Sequence, residues 1–181
     1  MKPEKNHLVA ACQRKEEDAL RQLYDEFAPM MLGVCMRYTH SRDEAQDLLH
    51  DGFLKVYKSI GNLKQPLALE DWIYQIMVNV CINYVSRRRD IVYSGIAGME
   101  EVKNGGGLYT DPFDTDPFET AEVMKAIRAL PDPYRVVFNM KEVDDFSYPE
   151  IADRLGLKEV TVRTIAFRAR KMLREALKPI V

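Results

Sequence analysis

"SYPEIADRLGLKEVTVRTIAFRARKML" occupies residues 147–173. Ser147 and Glu150 have capping-box spacing: a hydroxyl accepts from an orphan amide and a carboxylate reaches back. Ile151, Ala152 and Leu155 follow at helical spacing, and Gly156 stands where a helix stop requires a positive φ. A second helix is predicted from near Glu159. Val162, Ile165, Ala166, Ala169, Met172 and Leu173 form its inner face. Arg163, Phe167, Arg170 and Arg174 form its outer face, with Arg168 and Lys171 beside them. A short helix, a glycine turn and a basic-faced helix make a helix-turn-helix. In that motif the second helix enters the major groove, with its first residues at base edges. Residues 158–181 hold seven basic and two acidic side chains, a local net of +5, the electrostatic footprint of a nucleic-acid binder. A helical hairpin with a solvated basic face fits the same pattern.

This basic end closes a chain of 181 residues with 26 Lys plus Arg against 28 Asp plus Glu. The overall charge does not point to nucleic acid; its distribution does. A hydrophobic fraction of 46% suffices for packed cores. No run of about 18 apolar residues occurs, and the first residues are charged rather than signal-like, so a cytoplasmic protein without a membrane span is expected. Cys12, Cys35 and Cys81 lie far apart among apolar residues and read as reduced core thiols. His7, His40 and His50 lack paired-ligand spacing, and no HExxH, P-loop or GxSxG is present, so no metal, cofactor or catalysis is expected.

Residues 1–93 read as helical throughout. Leu20, Leu23, Tyr24, Phe27, Met31, Leu32, Cys35 and Tyr38 recur at spacings of three and four. Pro29 predicts either two helices or a kinked one there. "SRDE" (41–44) is a second capping box, opening a helix with a stripe of Ala45, Leu48, Leu49, Phe53, Val56, Tyr57 and Ile60. Its other side carries Asp47, His50, Asp51 and Lys55, which reads as a partner-docking face or a solvated one with an Asp51–Lys55 pair. A loop follows, then a helix over 71–89. Ile73, Ile76, Met77, Val80 and Tyr84 are its apolar face, extended by Tyr74, Val78, Cys81 and Val85. What remains is a stripe of Trp72, Gln75, Asn79, Asn83 and Arg87, continuing into Arg88 and Arg89. Amides and an aromatic can bond to and stack on unpaired bases while arginines hold phosphates. A solvated face with a basic C-terminus suited to the helix dipole fits equally.

Composition then shifts. Residues 96–122 hold seven acidic residues, one Lys, "NGGG" and two Asp-Pro pairs, which reads as a flexible acidic linker. Helices resume near residue 120, where Asp132 is the expected N-cap with Pro133 at the first helical position of "LPDPYRVVFNMKEV". No period-two alternation was found. The expected fold is all-α, with two small helical domains, 1–95 and 120–181, joined by the 96–119 linker.

"DEAQDLLHDGFLKVYKSI", "WIYQIMVNVCINYVSRRR" and "LPDPYRVVFNMKEVDDFSYPEIADRLGLKEVTVRTIAFRARKML", in that order, resemble the sigma-70 family of RNA polymerase sigma factors, in its two-domain extracytoplasmic-function (ECF) form. The resemblance spans nearly all the chain except the linker. It implies a region 2-like helical bundle, a region 4-like helix-turn-helix, and promoter-specific initiation without chemistry of the protein's own. It implies core RNA polymerase (largest-subunit clamp helices and flap region), promoter DNA and an anti-sigma factor as partners. Asp47, Leu48, Asp51, Phe53 and Tyr57 match the polymerase-docking segment or hold its shape. Asn62, Lys64, Trp72, Gln75, Asn79, Asn83, Arg87 and Arg88 match the part that opens and reads the minus 10 element. Thr161, Arg163, Thr164, Phe167, Arg168 and Lys171 match the helix that reads the minus 35 element as duplex. The chain departs from the pattern in the loop "LKQPLALED", at Lys158 where a Ser cap is common, at Val160, at Ile165 in place of a basic residue, and at Asn83 in place of Asp.

Overall fold

The computed structural model describes residues 2–88 and 120–177, and every regular element among them is helical. The segment expected to be a linker, 96–119, and Arg89 lie outside the described residues. The chain divides into two compact units, Met1–Tyr84 and Val85–Val181.

The first unit is built from α1 (Lys2–Gln13), α2 (Glu17–Tyr38), α3 (Arg42–Ser59) and the greater part of α4 (Leu69–Arg87), whose residues from Val85 onward are counted with the second unit. Two short 3-10 turns, Ile60–Asn62 and Pro66–Ala68, join α3 to α4. The core follows the apolar stripes: Leu23, Phe27, Met31 and Cys35 of α2, Leu48, Leu49, Phe53 and Val56 of α3, and Ile73, Met77 and Cys81 of α4 are buried. All three cysteines are buried and free, and the Cys35 and Cys81 sulfurs lie 3.9 Å apart. Pro29 does not divide α2, which is one helix. Pro29 is on the exposed side, where water can take up the carbonyl bond that its missing N–H leaves unmade.

The Ser41 cap forms, with Oγ accepting from the Glu44 N–H at 3.1 Å. The box is displaced by one residue: the Glu44 carboxylate accepts from the His40 N–H at 3.1 Å. It also accepts from the Tyr84 hydroxyl at 2.9 Å, tying the start of α3 to α4. Tyr84, Tyr74 and Ile76, expected on the apolar face of α4, are only half-buried, whereas Leu69 and Ile82 are buried. Both tyrosines use an apolar ring with a polar tip; the Tyr74 hydroxyl accepts from Arg37 at 3.0 Å.

The second unit carries α5 (Thr120–Ala129), α6 (Asp132–Phe138), α7 (Tyr148–Leu155) and α8 (Glu159–Ala176). Ile127, Leu130, Phe138, Ala169 and Leu173 form one core cluster. Asp132 is not the N-cap of α6; it lies within the first turn, after Pro131. Its carboxylate instead binds the guanidinium of Arg135 at 2.6 Å, and Arg135 is 2% exposed. A charge-assisted bond to a buried cation outcompetes a neutral backbone cap. A π-helical turn, Asn139–Val143, prolongs α6, closed by the Asp144 N–H on the Asn139 carbonyl at 2.9 Å.

Candidate nucleic-acid interface

The turn between α7 and α8 is built as its sequence requires. Ser147 Oγ accepts from the Glu150 N–H at 3.4 Å, and the Glu150 carboxylate accepts from the Ser147 N–H at 2.8 Å and its hydroxyl at 2.6 Å. These bonds hold the Glu150 carboxyl below the usual glutamate range, the Ser147 hydroxyl being the larger cause and its N–H the next. Gly156 takes φ 63° and ψ 37°. The N–H of Leu157 then reaches the Ala152 carbonyl at 2.9 Å and that of Gly156 the Asp153 carbonyl at 3.3 Å, the paired bonds of a Schellman stop. Lys158 precedes α8 without a side-chain cap bond.

On α8, Val162, Ile165, Ala166, Ala169 and Leu173 are buried. Met172 was expected inside but is 36% exposed. It lies about 100° around the helix from Leu173, and the inner face is filled by Ala169 and Leu173. Arg163, Phe167 and Lys171 are exposed, with Thr161, Thr164 and Arg168 half-buried beside them. The six residues expected to read duplex thus share the side of α8 opposite its core.

Arg170, placed outside by the sequence, turns back to its own unit. It bonds Glu142 at 3.0 Å and the Tyr148 hydroxyl at 2.6 Å. The guanidinium of Arg163 lies 4.6 Å from the Tyr148 ring centre and the Lys141 ammonium 5.5 Å from it. Tyr148 therefore gathers three cations by ring face and hydroxyl. Nothing in residue spacing marks this role, because the three come from the π turn and from α8.

On α4, Gln75, Asn79, Asn83 and Arg87 are exposed and Trp72 is half-buried, so the stripe forms one edge of the helix, and Arg88 just beyond it is exposed too. Asn62 and Lys64 are exposed in the connection that precedes it. Gln13 was not singled out from the sequence, yet its amide donates to the Ile60 and Leu63 carbonyls at 3.2 and 3.1 Å. It pins the turn that carries Asn62. The bond spans most of the unit's sequence and leaves no local signature.

The α3 face divides. Asp47 and Asp51 are exposed, while Leu48 and Phe53 are 5% and 1% exposed and belong to the core. Tyr57 is half-buried and its hydroxyl donates to the Leu20 carbonyl at 3.3 Å. Burial, and then the neighbouring Tyr24, push its pKa up. Tyr24, Phe53 and Tyr57 stack in sequence, with centroids 4.7 and 5.9 Å apart. Together with Arg21, His50 and Leu54 they line a surface cavity of about 310 Å³ between α2 and α3. Among the described residues no helix is long and apolar enough to cross a membrane.

The family model "Sigma-70 region 2" matches residues 23–91, and "Sigma-70, region 4" matches residues 120–173. The RNA polymerase sigma-H factor of Pseudomonas aeruginosa is 30% identical over 182 residues, covering 96% of this chain and 94% of that protein. The ECF RNA polymerase sigma-E factor of Escherichia coli K12 is 27% identical, covering 96% of this chain and 94% of its own. The solved sigma factor RpoE of Bartonella quintana, crystallised with the anti-sigma factor NepR, is 21% identical with a TM-score of 0.48, over 89% of this chain and 98% of that one. The two matched segments contain the α4 stripe and the α8 face. The chain belongs to the sigma-70 family of RNA polymerase sigma factors, in its ECF group, and directs promoter-specific initiation of transcription.

Proposed function

We propose that residues 1–95 dock on core RNA polymerase and open the minus 10 element, that residues 120–181 hold the minus 35 element as duplex, and that residues 96–119 let the two reach separate sites. The observation that carries this reading is the pair of outward faces on two separate compact units. One carries the amides Gln75, Asn79 and Asn83 on α4, the other is basic and aromatic on α8. Amides and Trp72 suit unpaired bases, whose Watson–Crick edges and ring faces are free. The α8 face follows a capped helix and a glycine stop, the arrangement that sets a recognition helix into the major groove. Captured bases offset the free energy of unpairing the duplex.

Polymerase docking is assigned to the exposed Asp47 and Asp51 with the groove at Tyr57; Leu48 and Phe53 hold that surface from beneath. The protein acts in the cytoplasm, catalyses no reaction, and is held inactive by an anti-sigma factor, as its family membership suggests. The reading is tested on open complexes formed with core polymerase and probed with permanganate for unpaired thymines. Gln75→Ala together with Asn79→Ala is expected to lower reactivity around the minus 10 element while minus 35 protection stays. Loss of duplex protection with normal opening would reverse the assignment of the two faces.

A further inference from the structure

The first turn of α8 carries a side chain that the polar reading of this helix leaves out. Val160 is 58% exposed. At about 100° per residue, Val160, Thr164, Phe167 and Lys171 fall within roughly 60° of one another. Val160 is diametrically opposite Ala169, which is fully buried. It therefore stands at the centre of the outward face, nearest the helix start. A β-branched residue here lowers helix propensity and gains little from burial.

Its neighbours are engaged within the protein. Arg163 donates twice to one Glu159 oxygen, at 2.8 and 2.6 Å, and its guanidinium lies against the Tyr148 ring. The Thr164 hydroxyl donates to the Val160 carbonyl at 3.0 Å. Along this side of the helix the Glu159 and Arg163 charges pair and the Thr164 hydroxyl proton is used by the backbone. At the centre of the outward face, nearest the helix start, stands the pair of valine methyl groups.

We propose that Val160 is a specificity-determining residue that reads the C5 methyl group of a thymine in the duplex minus 35 element. This rests on the reading of α8 as the minus 35 helix. The major groove displays one apolar feature, the thymine methyl, and apolar side chains recognise it. Residues at the start of a recognition helix are the ones that meet base edges. A valine there also disfavours cytosine, whose amino donor it would strip of water without offering an acceptor.

The test uses the full chain with core polymerase on a promoter selected from a randomised library. Each minus 35 thymine is replaced in turn by uracil, which lacks only the methyl group. Initiation by the unsubstituted protein is expected to fall roughly three- to fivefold at one position, the worth of one methyl removed from water. That penalty is expected to vanish in Val160→Ser, which removes both methyl groups at no cost in helix propensity. The proposal is overturned, with the α8 reading intact, if Arg168→Ala weakens initiation but no thymine is uracil-sensitive, or if the penalty persists in Val160→Ser. If Arg168→Ala and Lys171→Ala both leave minus 35-dependent initiation unchanged, the α8 reading itself falls, and the proposal with it.

Discussion

Gly156→Ala tests whether one backbone angle sets the DNA-reading end of the molecule. Gly156 sits at φ 63°, where an L side chain crowds the following carbonyl at a cost of about 1–2 kcal/mol. Alanine also restricts the unfolded chain, which returns about 0.4–1 kcal/mol. The net expectation is a loss of about 1 kcal/mol, or about 4–8 °C for a domain of this size. Relaxing φ to the right-handed region would break the bond from Leu157 to the Ala152 carbonyl and redirect α8, so minus 35-dependent initiation should fall as well. Hydrogen exchange followed by mass spectrometry on the full chain reads the change locally, as faster exchange in α7 and α8 with α1 to α4 unaffected. Gly156→Asn is the control, because asparagine tolerates the left-handed region. It should lose less than half as much. If Ala is as stable as Gly, or Asn as damaging as Ala, the turn is not held by its left-handed residue.

Further outcomes follow from the same structure. The bonds from Ser147 hold the Glu150 carboxyl below its ordinary range, so folding is favoured above the ordinary glutamate pKa of about 4.3. That contribution is lost as pH falls through the lower folded value. Ser147→Ala should flatten this acid dependence of α7 exchange, and an unchanged profile would contradict the capping box. On α3, Phe53→Ala should destabilise the first unit by about 3–5 kcal/mol, because the ring is 1% exposed and its removal leaves a cavity. Asp51→Lys should change stability by under about 0.5 kcal/mol while weakening co-purification with core polymerase. Thiol titration with an aromatic disulfide should find Cys12, Cys35 and Cys81 unreactive in the native protein and all three reactive in denaturant, since all are buried. Burial, with Glu16 nearby, also raises the Cys12 pKa. Rapid native labelling would place a thiol at the surface.

Features written in local spacing were legible in the sequence. The Ser147 box, the Gly156 stop, the inner face of α8 and the α4 stripe rest on spacings of one to four residues between successive members, so periodicity and cap chemistry reveal them. What escaped depends on contacts distant in sequence or on competition between local bonds. Gln13 reaches carbonyls some fifty residues on, which no window on the chain exposes. Asp132 could cap α6 by propensity, but a buried arginine three residues later offers a stronger partner. Arg170 lies at a helical position compatible with solvent, and only the fold brings Glu142 and Tyr148 to it. Leu48 and Phe53, by contrast, read in sequence as part of the apolar stripe of α3 and as docking residues or holders of that segment's shape, and at 5% and 1% exposed they belong to the core.

The central claim is that two faces, on two units, grip two promoter elements for one polymerase. Run-off transcription with core polymerase on a library randomised across the upstream region, followed by sequencing of the initiating templates, tests it most directly. The unsubstituted protein should enrich two sequence blocks at a fixed separation. Substituting Gln75, Asn79 and Asn83 by alanine should erase the downstream block alone, and substituting Arg168 and Lys171 the upstream block alone. Enrichment of a single block, or loss of the same block by both sets, would contradict the account.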